Sequence, residues 1–502
     1  MIDALLSALP LVFEPANLFA VLLGTVAGLV VGALPGLTVT TGIAVLIPLT
    51  FGLDPLFALG MMAGMYNGGS YGGAIPAILL RVPGTPASVA TILDGYEMTK
   101  QGKAAYALQV AVVSGVIGSV LSAISLIIFA PGLVKLSLLF GPAEYFWVAI
   151  LGLATVASLL GDDFLKGLIA TVIGLLIGTI GTDISSGTER YTFGLLEFAD
   201  GLDIVVLLSA LFAIPPVLMM IEEALKTGMP GDLLKLKRQG SVLADWRRYL
   251  PIWMRSSVIG IIIGVLPGAG GSMSCYLAYN DAKRASRQPE TFGKGNPEGV
   301  AASEAGNGAD NAASLIPALT LGIPGSGVAA VILGGLLVHG LRPGPQLFAE
   351  HPDVVYGFMV QMLLSAVMLA VVGGLTATRI FGQALRLPRV VLAPVIMLFV
   401  TVGVYAVNNT MFDLYTLLGI GLVAYMLDKL DYPNAPIILG VILGPIAESQ
   451  LLLAMTISGG DPMALVSSPM SMIMIALTLF VLATPLWTVW KQRRRSSVEP
   501  AK

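Results

Sequence analysis

Residues Met65–Tyr96 read "MYNGGSYGGAIPAILLRVPGTPASVATILDGY", and this stretch decides how the chain is organised. It combines glycines, prolines and small polar side chains, whereas long apolar runs dominate the rest of the chain. In hydrocarbon an unpaired peptide group costs several kcal/mol, so irregular backbone is tolerated only inside protein or along a wet cavity. We therefore expect this stretch to be irregular and to line a binding site.

Composition places the chain in a lipid bilayer. Of its 502 residues, 56% are hydrophobic and 11% are charged, and the mean hydropathy is +0.87. A soluble domain carries about 25% charged residues, so this chain cannot cover a water-facing surface. Apolar runs of about 20 residues, long enough to cross a ~30 Å hydrocarbon core, predict an all-α polytopic membrane protein with about 11–12 transmembrane helices. The predicted spans are 17–34, 105–130, 143–160, 164–182, 204–221, 251–267, 355–377, 389–406, 413–427, 434–458 and 470–490, with broken or re-entrant segments in 35–104 and 268–345.

The chain contains an internal repeat. "GALPGL" at 32–37 recurs as "GVLPGA" at 264–269, 232 positions later, and "AIPAILLRVPGT" at 74–85 recurs as "LIPALTLGIPGS" at 315–326, 241 positions later. Counting spans from the basic loops puts the two copies in opposite orientations, an inverted-topology repeat of the kind common in secondary transporters. The predicted division is 1–221 for the first membrane half, 222–250 for a cytoplasmic linker, 251–490 for the second half and 491–502 for a basic cytoplasmic tail.

The orientation follows from lysine and arginine, which are enriched in cytoplasmic loops. These residues concentrate in 226–255, in 379–389 and in the tail "KQRRR" that begins at Lys491. We predict that all three segments, and therefore the C-terminus, are cytoplasmic.

Four Pro-Gly dipeptides interrupt apolar runs, and each predicts a helix broken within the membrane. The N–H groups at the start of the next helix can hold a carboxylate, and freed carbonyl and hydroxyl oxygens can coordinate sodium. The alternative is close helix packing, because glycine and proline are common in transmembrane helices. The repeated pattern favours a site. The broken-helix turns are Pro35, Gly36, Thr38, Pro267 and Gly268, and the substrate- or ion-binding candidates are Asn67, Gly68, Gly69, Ser70, Pro83, Gly84, Thr85, Ser88, Asn307, Asn311, Ser314, Pro324, Gly325 and Ser326.

Three acidic residues, Glu298, Glu304 and Asp310, precede the Pro324-Gly325 break. If 293–318 is helical, Glu304, Asn307 and Asn311 share one face. Acidic residues that lead into a membrane segment often mark ion or proton pathways. The alternative is a solvated loop whose acids balance nearby lysine and arginine, and for Glu298 this alternative is at least as good. In the first copy, the acids Asp94 and Glu97 precede Lys100 and Lys103, and we expect them to form a surface charge pair rather than a proton relay.

Nothing in the sequence predicts catalysis. Cys275 is the only cysteine and two histidines are present, so neither an intramolecular disulfide nor a multi-histidine metal site can form. No glycine-rich loop ends in the Lys and Ser or Thr of an ATPase phosphate loop, so transport would draw on an ion gradient or on the energy of a partner protein. We predict no enzyme, no catalytic residues, no nucleic-acid partner and no cofactor except a sodium ion near Asn67 or Asn307.

Four blocks carry a resemblance to a known family: "GALPGLTVTTGIAVLIPLTFGLDP", "YNGGSYGGAIPAILLRVPGTPASVATILDGY", "GNPEGVAASEA" and "LIPALTLGIPGSGVAAVILGGLLVHGLRPGPQLF". Over essentially the whole chain, the sequence resembles the large membrane subunit of the tripartite tricarboxylate transporters (TctA type). The resemblance implies a permease of the bacterial inner membrane, a small membrane subunit of about four helices and a periplasmic solute-binding protein. It also implies that citrate-like tricarboxylates or other organic acids are taken up by symport with sodium or protons.

The resemblance also implies site residues. The family's glycine-rich block falls on 67–70 and its PGT turn on 83–85, while in the second copy the matches are Asn307 and the PGS turn at 324–326. An additional acid near the site is unexpected in an anion permease. The departures from the family pattern are Ser303 in place of proline, Gly308 in place of a second asparagine, and Asp310 and Asn311 in place of small residues.

Two other functions remain open. A receptor or scaffold would sense a loaded binding protein without moving solute. An intramembrane enzyme would need a nucleophile with a base, or paired acids, at membrane depth, and the histidines are too peripheral to serve.

Overall fold

The structure is a computed structural model that describes most of the chain. Its described residues are 2–34, 36–159, 164–183, 187–226, 242, 244–266, 270–376 and 389–496. Three predicted turn residues, most of the predicted linker and parts of the other basic segments lie outside them, namely Pro35, Pro267, Gly268, 227–241, 243, 377–388 and 497–502.

The described residues are mainly helical. The first part of the chain forms α1 (Ile2–Val12), α2 (Pro15–Ala33), α3 (Val39–Thr50), α4 (Pro55–Gly72), α5 (Ala74–Leu80), α6 (Val89–Lys100), α7 (Ala104–Ser137), α8 (Pro142–Leu159), α9 (Phe164–Gly178), α10 (Ile204–Phe212) and α11 (Ile214–Lys226). The second part forms α12 (Trp246–Val265), α13 (Gly270–Ala285), α14 (Pro297–Ala313), α15 (Leu315–Leu321), α16 (Gly327–Val338), α17 (Pro345–Glu350), α18 (Pro352–Thr376), α19 (Arg389–Asn408), α20 (Met411–Lys429), α21 (Asn434–Ile457) and α22 (Pro469–Ser496). The strands found among the described residues, β1 (Gly181–Thr182) and β2 (Glu189–Arg190), lie between α9 and α10 and pair antiparallel.

The helices confirm the prediction of an all-α polytopic membrane protein. As far as its residues are described, every predicted span coincides with a helix or, at 204–221, with the pair α10 and α11. Large apolar side chains face outward, for example Phe129 at 58% and Phe480 at 67% exposure, as lipid contact allows. Among the described residues, six segments are long and apolar enough to cross a membrane: Pro15–Ala33, Ala104–Ser137, Ile204–Glu222, Pro352–Gly374, Met411–Lys429 and Asn434–Ile457. The total of 11–12 transmembrane helices stays a prediction.

The chain forms two compact units. One comprises Met1–Val134 and Ile204–Tyr425, and the other comprises Lys135–Asp203 and Met426–Lys502. All the predicted site residues belong to the first unit. This division groups residues by contact and leaves the predicted repeat halves untested.

The second unit contains α8, α9, α21 and α22. Its helices α9 and α21 touch backbone to backbone, because a Cβ atom on Gly174 would lie 1.9 Å from the carbonyl oxygen of Ile437. Near the start of α8, the Glu144 carboxylate accepts hydrogen bonds from the hydroxyls of Ser468, which precedes α22, and Ser471, in the first turn of α22. Small residues and a satisfied carboxylate therefore hold this unit together.

In the first unit, glycines bring two helix pairs into close contact. A Cβ atom on Gly28 of α2 would lie 2.5 Å from a carbonyl oxygen of α4, and one on Gly32 would lie 2.3 Å from another. In the same way, a Cβ atom on Gly260 of α12 would lie 2.4 Å from the carbonyl oxygen of Gly306 in α14. No larger residue fits at these positions without moving a helix backbone.

The two copies of the repeated sequence share their local structure. The N–H of Gly84 donates to the carbonyl oxygen of Gly73 at 3.1 Å, and 241 positions later Gly325 donates to Ser314 at 3.1 Å. The residue that ends the short helix before each turn is left-handed, with φ of 61° at Arg81 and 73° in its counterpart Gly322. The predicted helix breaks at these two Pro-Gly turns are therefore present, and the two turns share the same backbone geometry.

The predicted irregularity of 65–96 is wrong for its first part. Helix α4 continues through Gly68, Gly69 and Ser70 to Gly72. A Cβ atom on Gly68 would lie 2.3 Å from the carbonyl oxygen of Thr25, so this glycine serves the contact with α2. The chain leaves helical geometry only between α5 and the single 3₁₀ turn that precedes α6.

Candidate functional site

Four predicted residues from the two sequence copies meet in one buried hydrogen-bonded group, which we call the amide cluster: Asn67 and Ser70 of α4, and Asn307 and Asn311 of α14. The Ser70 hydroxyl lies 3.2 Å from the amide oxygens of both Asn307 and Asn311 and donates to them. The Asn311 amide nitrogen donates to the Asn67 amide oxygen at 2.8 Å. The four side chains are 1–6% exposed, so the cluster is closed to solvent. Their role as ligand-binding residues stays a prediction.

The amide cluster also holds a third helix. The Asn67 amide nitrogen donates to the Ser365 hydroxyl at 2.6 Å and to the carbonyl oxygen of Met362 at 3.1 Å, both on α18. Buried polar groups in proteins are normally satisfied in this way. Asn67 therefore ties α4, α14 and α18 together, whatever else it binds.

The second Pro-Gly turn is tied to α4 by Tyr66. Its hydroxyl lies 3.0 Å from the Ser314 hydroxyl and 3.2 Å from the Ser326 hydroxyl. The Ser326 oxygen in turn accepts from the N–H of Ala329 at 3.1 Å and caps α16. Sequence reasoning missed Tyr66. The shift of 241 positions was the available signal, because it aligns Tyr66 with Asn307 and Ser70 with Asn311.

The first Pro-Gly turn is packed just as closely. The hydroxyls of Thr85 and Ser88 are 3.0 Å apart, and a Cβ atom on Gly73 would lie 2.6 Å from the Thr85 hydroxyl oxygen. A Cβ atom on Gly84 would lie 2.4 Å from the carbonyl oxygen of Gly32, and in the second copy a Cβ atom on Gly325 would lie 2.3 Å from that of Gly264. Each turn therefore touches the C-terminal end of its own copy's first helix.

Of the other predicted broken-helix turns, only Gly36 and Thr38 are described. Gly36 has a φ of +94°, which favours glycine, and the Thr38 hydroxyl accepts from the N–H of Thr41 at 3.2 Å and so caps α3. The two copies also approach each other beyond these turns. A Cβ atom on Gly271, at the start of α13, would lie 3.1 Å from the Cβ of Ala87, which follows the first Pro-Gly turn.

Two acidic residues of α14, Glu304 and Asp310, are buried, so the solvated-loop alternative is wrong for them. Glu304 is 1% and Asp310 is 2% exposed, because α14 packs against α4, α6, α12 and α13. Glu304 accepts a hydrogen bond from the Thr91 hydroxyl of α6. For Glu298 the surface interpretation holds, since its carboxylate pairs with Arg248 at 2.8 Å.

The expected surface charge pair is right for Glu97 and wrong for Asp94. Glu97 pairs with Lys100 at 2.6 Å. Asp94 is fully buried, and its Oδ1 accepts from three backbone N–H groups at 2.8–2.9 Å, while its Oδ2 accepts from the Tyr279 hydroxyl at 2.9 Å. The three N–H groups belong to the connection between α13 and α14, so Asp94 anchors that connection to α6.

The described residues also form a cavity of about 610 Å³ that does not include the amide cluster. Five charged side chains are among its lining residues, namely Arg248, Arg255, Asp281, Arg287 and Glu298. Two ion pairs, Arg248–Glu298 and Arg255–Asp281, each at 2.8 Å, neutralise most of its charge. The cavity therefore has no strong preference for an anion.

Comparison with known proteins decides the family. The sequence model described as "Tripartite tricarboxylate transporter TctA family" matches residues 18–439. The chain belongs to the tripartite tricarboxylate transporter TctA family. The resemblance expected from the four sequence blocks is thereby confirmed, and the protein is a multi-pass membrane subunit of a tripartite tricarboxylate transporter.

Two curated relatives come from Agrobacterium vitis. One, described as an uncharacterized 52.8 kDa protein in the TAR-I ttuC′ 3′ region, is 35% identical over 479 residues, which cover 95% of each chain. The other, described as an uncharacterized protein in the TAR-II ttuC′ 3′ region, is 36% identical over 220 residues, covering 44% of this chain and 90% of the relative. No solved structure matches the chain.

Proposed function

We propose that the protein is the large permease subunit of a binding-protein-dependent secondary transporter. It takes up tricarboxylates such as citrate, or related organic acids, across the bacterial inner membrane, by symport with sodium or protons. The observation that carries this proposal is the amide cluster, in which polar side chains from both copies of the repeated sequence meet next to two broken helices. Membrane transporters commonly place their sites at such breaks.

The chemistry of the cluster suits a carboxylate ligand. Its amide nitrogens and hydroxyls are hydrogen-bond donors, and the N-termini of α6 and α16 begin at the two Pro-Gly turns. Both features favour the binding of a negatively charged ligand. The packing alternative predicts instead that the cluster only joins helices, and transport measurements separate the two.

The closed cluster supports alternating access. Its side chains are buried, so a solute reaches them only when the contacts between the two copies separate. In an inverted-topology repeat, the same motion carried out by either copy opens the site to opposite sides of the membrane. We therefore propose that halves 1–221 and 251–490 rock against each other, with the C-terminus in the cytoplasm.

Family membership supports two protein partners. A tripartite transporter of this family uses a small membrane subunit of about four helices and a periplasmic solute-binding protein, and we propose that both assemble with this chain. The binding protein delivers the organic acid to the periplasmic side. In this scheme the permease supplies the path and the cation coupling, and no chemical step acts on the solute.

The test is uptake of radiolabelled citrate by proteoliposomes that contain this chain, the small subunit and the binding protein. An imposed sodium or proton gradient should drive uptake, and the recovered solute should be chemically unchanged. Asn307→Ala should reduce uptake at least tenfold. Asn408→Ala is the matched control, because Asn408 hydrogen-bonds Asp413 on the surface, away from the cluster.

Three results would contradict the proposal. Binding-protein docking without gradient-driven uptake would favour a receptor or scaffold, and a chemically altered solute would favour an enzyme. Wild-type uptake by the Asn307→Ala variant would mean that the amide cluster only joins helices and does not bind the solute.

A further inference from the structure

Asp310 lies in the last turn of buried helix α14 and has an unpartnered oxygen. The residue is 2% exposed, and none of the described residues donates a hydrogen bond to its Oδ1. The ion pairs formed within the described part of the chain do not include it. An ionised carboxylate is costly to bury unless it is paired or coordinates a metal. The position therefore calls for a positively charged ligand.

Oxygen atoms from two side chains face the same space beside Gly271. A Cβ atom on this glycine would lie 3.2 Å from the Asn307 Oδ1 and 3.3 Å from the Asp310 Oδ2. The unpartnered Oδ1 of Asp310 faces Gly264 of α12, where a Cβ atom would lie 3.0 Å from it, so the oxygen that faces Gly271 is the other one of the same carboxylate. The Asn307 Oδ1 accepts one hydrogen bond, from Ser70, and an amide oxygen has a second lone pair. Because residue 271 has no side chain, nothing from it covers either oxygen.

We propose that Asp310 and Asn307 are two ligands of a sodium site between α13 and α14. A carboxylate and a neutral amide oxygen are ligands that hard cations prefer. The convergence of two separate side chains favours a metal ion over a proton, which needs only one oxygen.

The site rests on the proposed function and deepens it, because Asn307 also belongs to the amide cluster. An organic anion next to an unneutralised Asp310 would be repelled. Sodium at Asp310 removes that repulsion, so the cation binds before the anion and the two are transported together.

The test uses the purified chain in detergent without substrate or partners. Thermal unfolding is followed while sodium chloride replaces choline chloride at constant ionic strength, and radioactive sodium binding is measured in parallel. The wild type should show a saturable rise in unfolding temperature with sodium. Asp310→Asn should bind sodium at least tenfold more weakly, and it should fold well because it removes an unpaired charge. Gly271→Ala, which places a methyl group in front of both oxygens, should weaken binding similarly.

The matched control is Glu144→Gln in the other compact unit, which removes a buried carboxylate that already accepts from the Ser468 and Ser471 hydroxyls, and it should keep the sodium response. A wild type that responds equally to choline and sodium, as it would if Asp310 took up a proton instead, overturns the proposal. So does an Asp310→Asn chain with wild-type sodium affinity. The sodium-binding test measures no uptake, so it is independent of the uptake experiment. A chain that binds sodium but does not transport would contradict the proposed function and still support the sodium site.

Discussion

Replacing Asp94 by asparagine should loosen the connection between α13 and α14. In the wild type, the Oδ1 of Asp94 accepts from the backbone N–H groups of Gly293, Gly295 and Asn296. A hydrogen bond to a charged group contributes about 1.5–3 kcal/mol and a neutral one about 0.5–1.5, so losing the charge costs about 1 kcal/mol per bond. Tyr279 can accept from the new amide, so its bond is not counted. Weakening all three bonds therefore costs about 3 kcal/mol. The population in which the connection between α13 and α14 has detached should increase about 100-fold.

Limited trypsin digestion in detergent measures this population, because Lys294 is exposed within the anchored connection. Cleavage of a locally opened segment tracks its open fraction when opening is fast compared with cutting. The rate after Lys294 should rise about 100-fold in Asp94→Asn. The control is Glu97→Gln, which breaks a partly exposed ion pair with Lys100 that is worth at most about 1 kcal/mol, so its rate should change less than tenfold. A rate for Asp94→Asn within threefold of the wild type would refute the anchoring role.

Three further substitutions test the packing and the site. Ser70→Ala removes the donor shared by two amide oxygens and should lower uptake at least tenfold, whereas Ser209→Ala should not, since the buried Ser209 hydroxyl has no partner among the described residues. Gly325→Ala places a Cβ atom 2.3 Å from a backbone oxygen and should lower the yield of folded protein, which size-exclusion chromatography measures, while Gly419→Ala has open space and should be neutral. Arg190→Met breaks a half-exposed ion pair and should change the free energy of unfolding by no more than about 1 kcal/mol, measured by thermal shift.

Much of the fold could be predicted because membrane insertion constrains sequence strongly. A helix needs about 20 apolar residues to cross the bilayer, and runs of that length marked all six segments that, among the described residues, are long and apolar enough to cross it. The Pro83-Gly84 turn and its copy could be predicted because proline removes a backbone donor and the pattern occurs twice. These signals are local, and no partner helix is needed to interpret them.

The errors came from residues whose meaning depends on a partner. Gly68 looked like a helix breaker, but a neighbouring helix backbone occupies the space that its side chain would fill. Asp94 looked like a surface acid beside two lysines, but its partners are backbone N–H groups about 200 positions away. Tyr66 was missed because tyrosine in an apolar helix is usually a packing residue. Composition and spacing cannot distinguish such cases without the tertiary contact.

The nature of the contacts between the two sequence copies bears on how the site can open. Where Tyr66 and Ser70 of α4 meet the second copy, the contacts are hydrogen bonds. Each contributes about 0.5–1.5 kcal/mol, and water or a carboxylate ligand can replace it. Interlocked apolar side chains could not be exchanged in that way, because separating them exposes surface that nothing else covers. In the alternating-access motion proposed above, this polar seam is where the two copies would separate and close again, whereas α2 with α4 and α12 with α14 are packed backbone to backbone and would move as pairs.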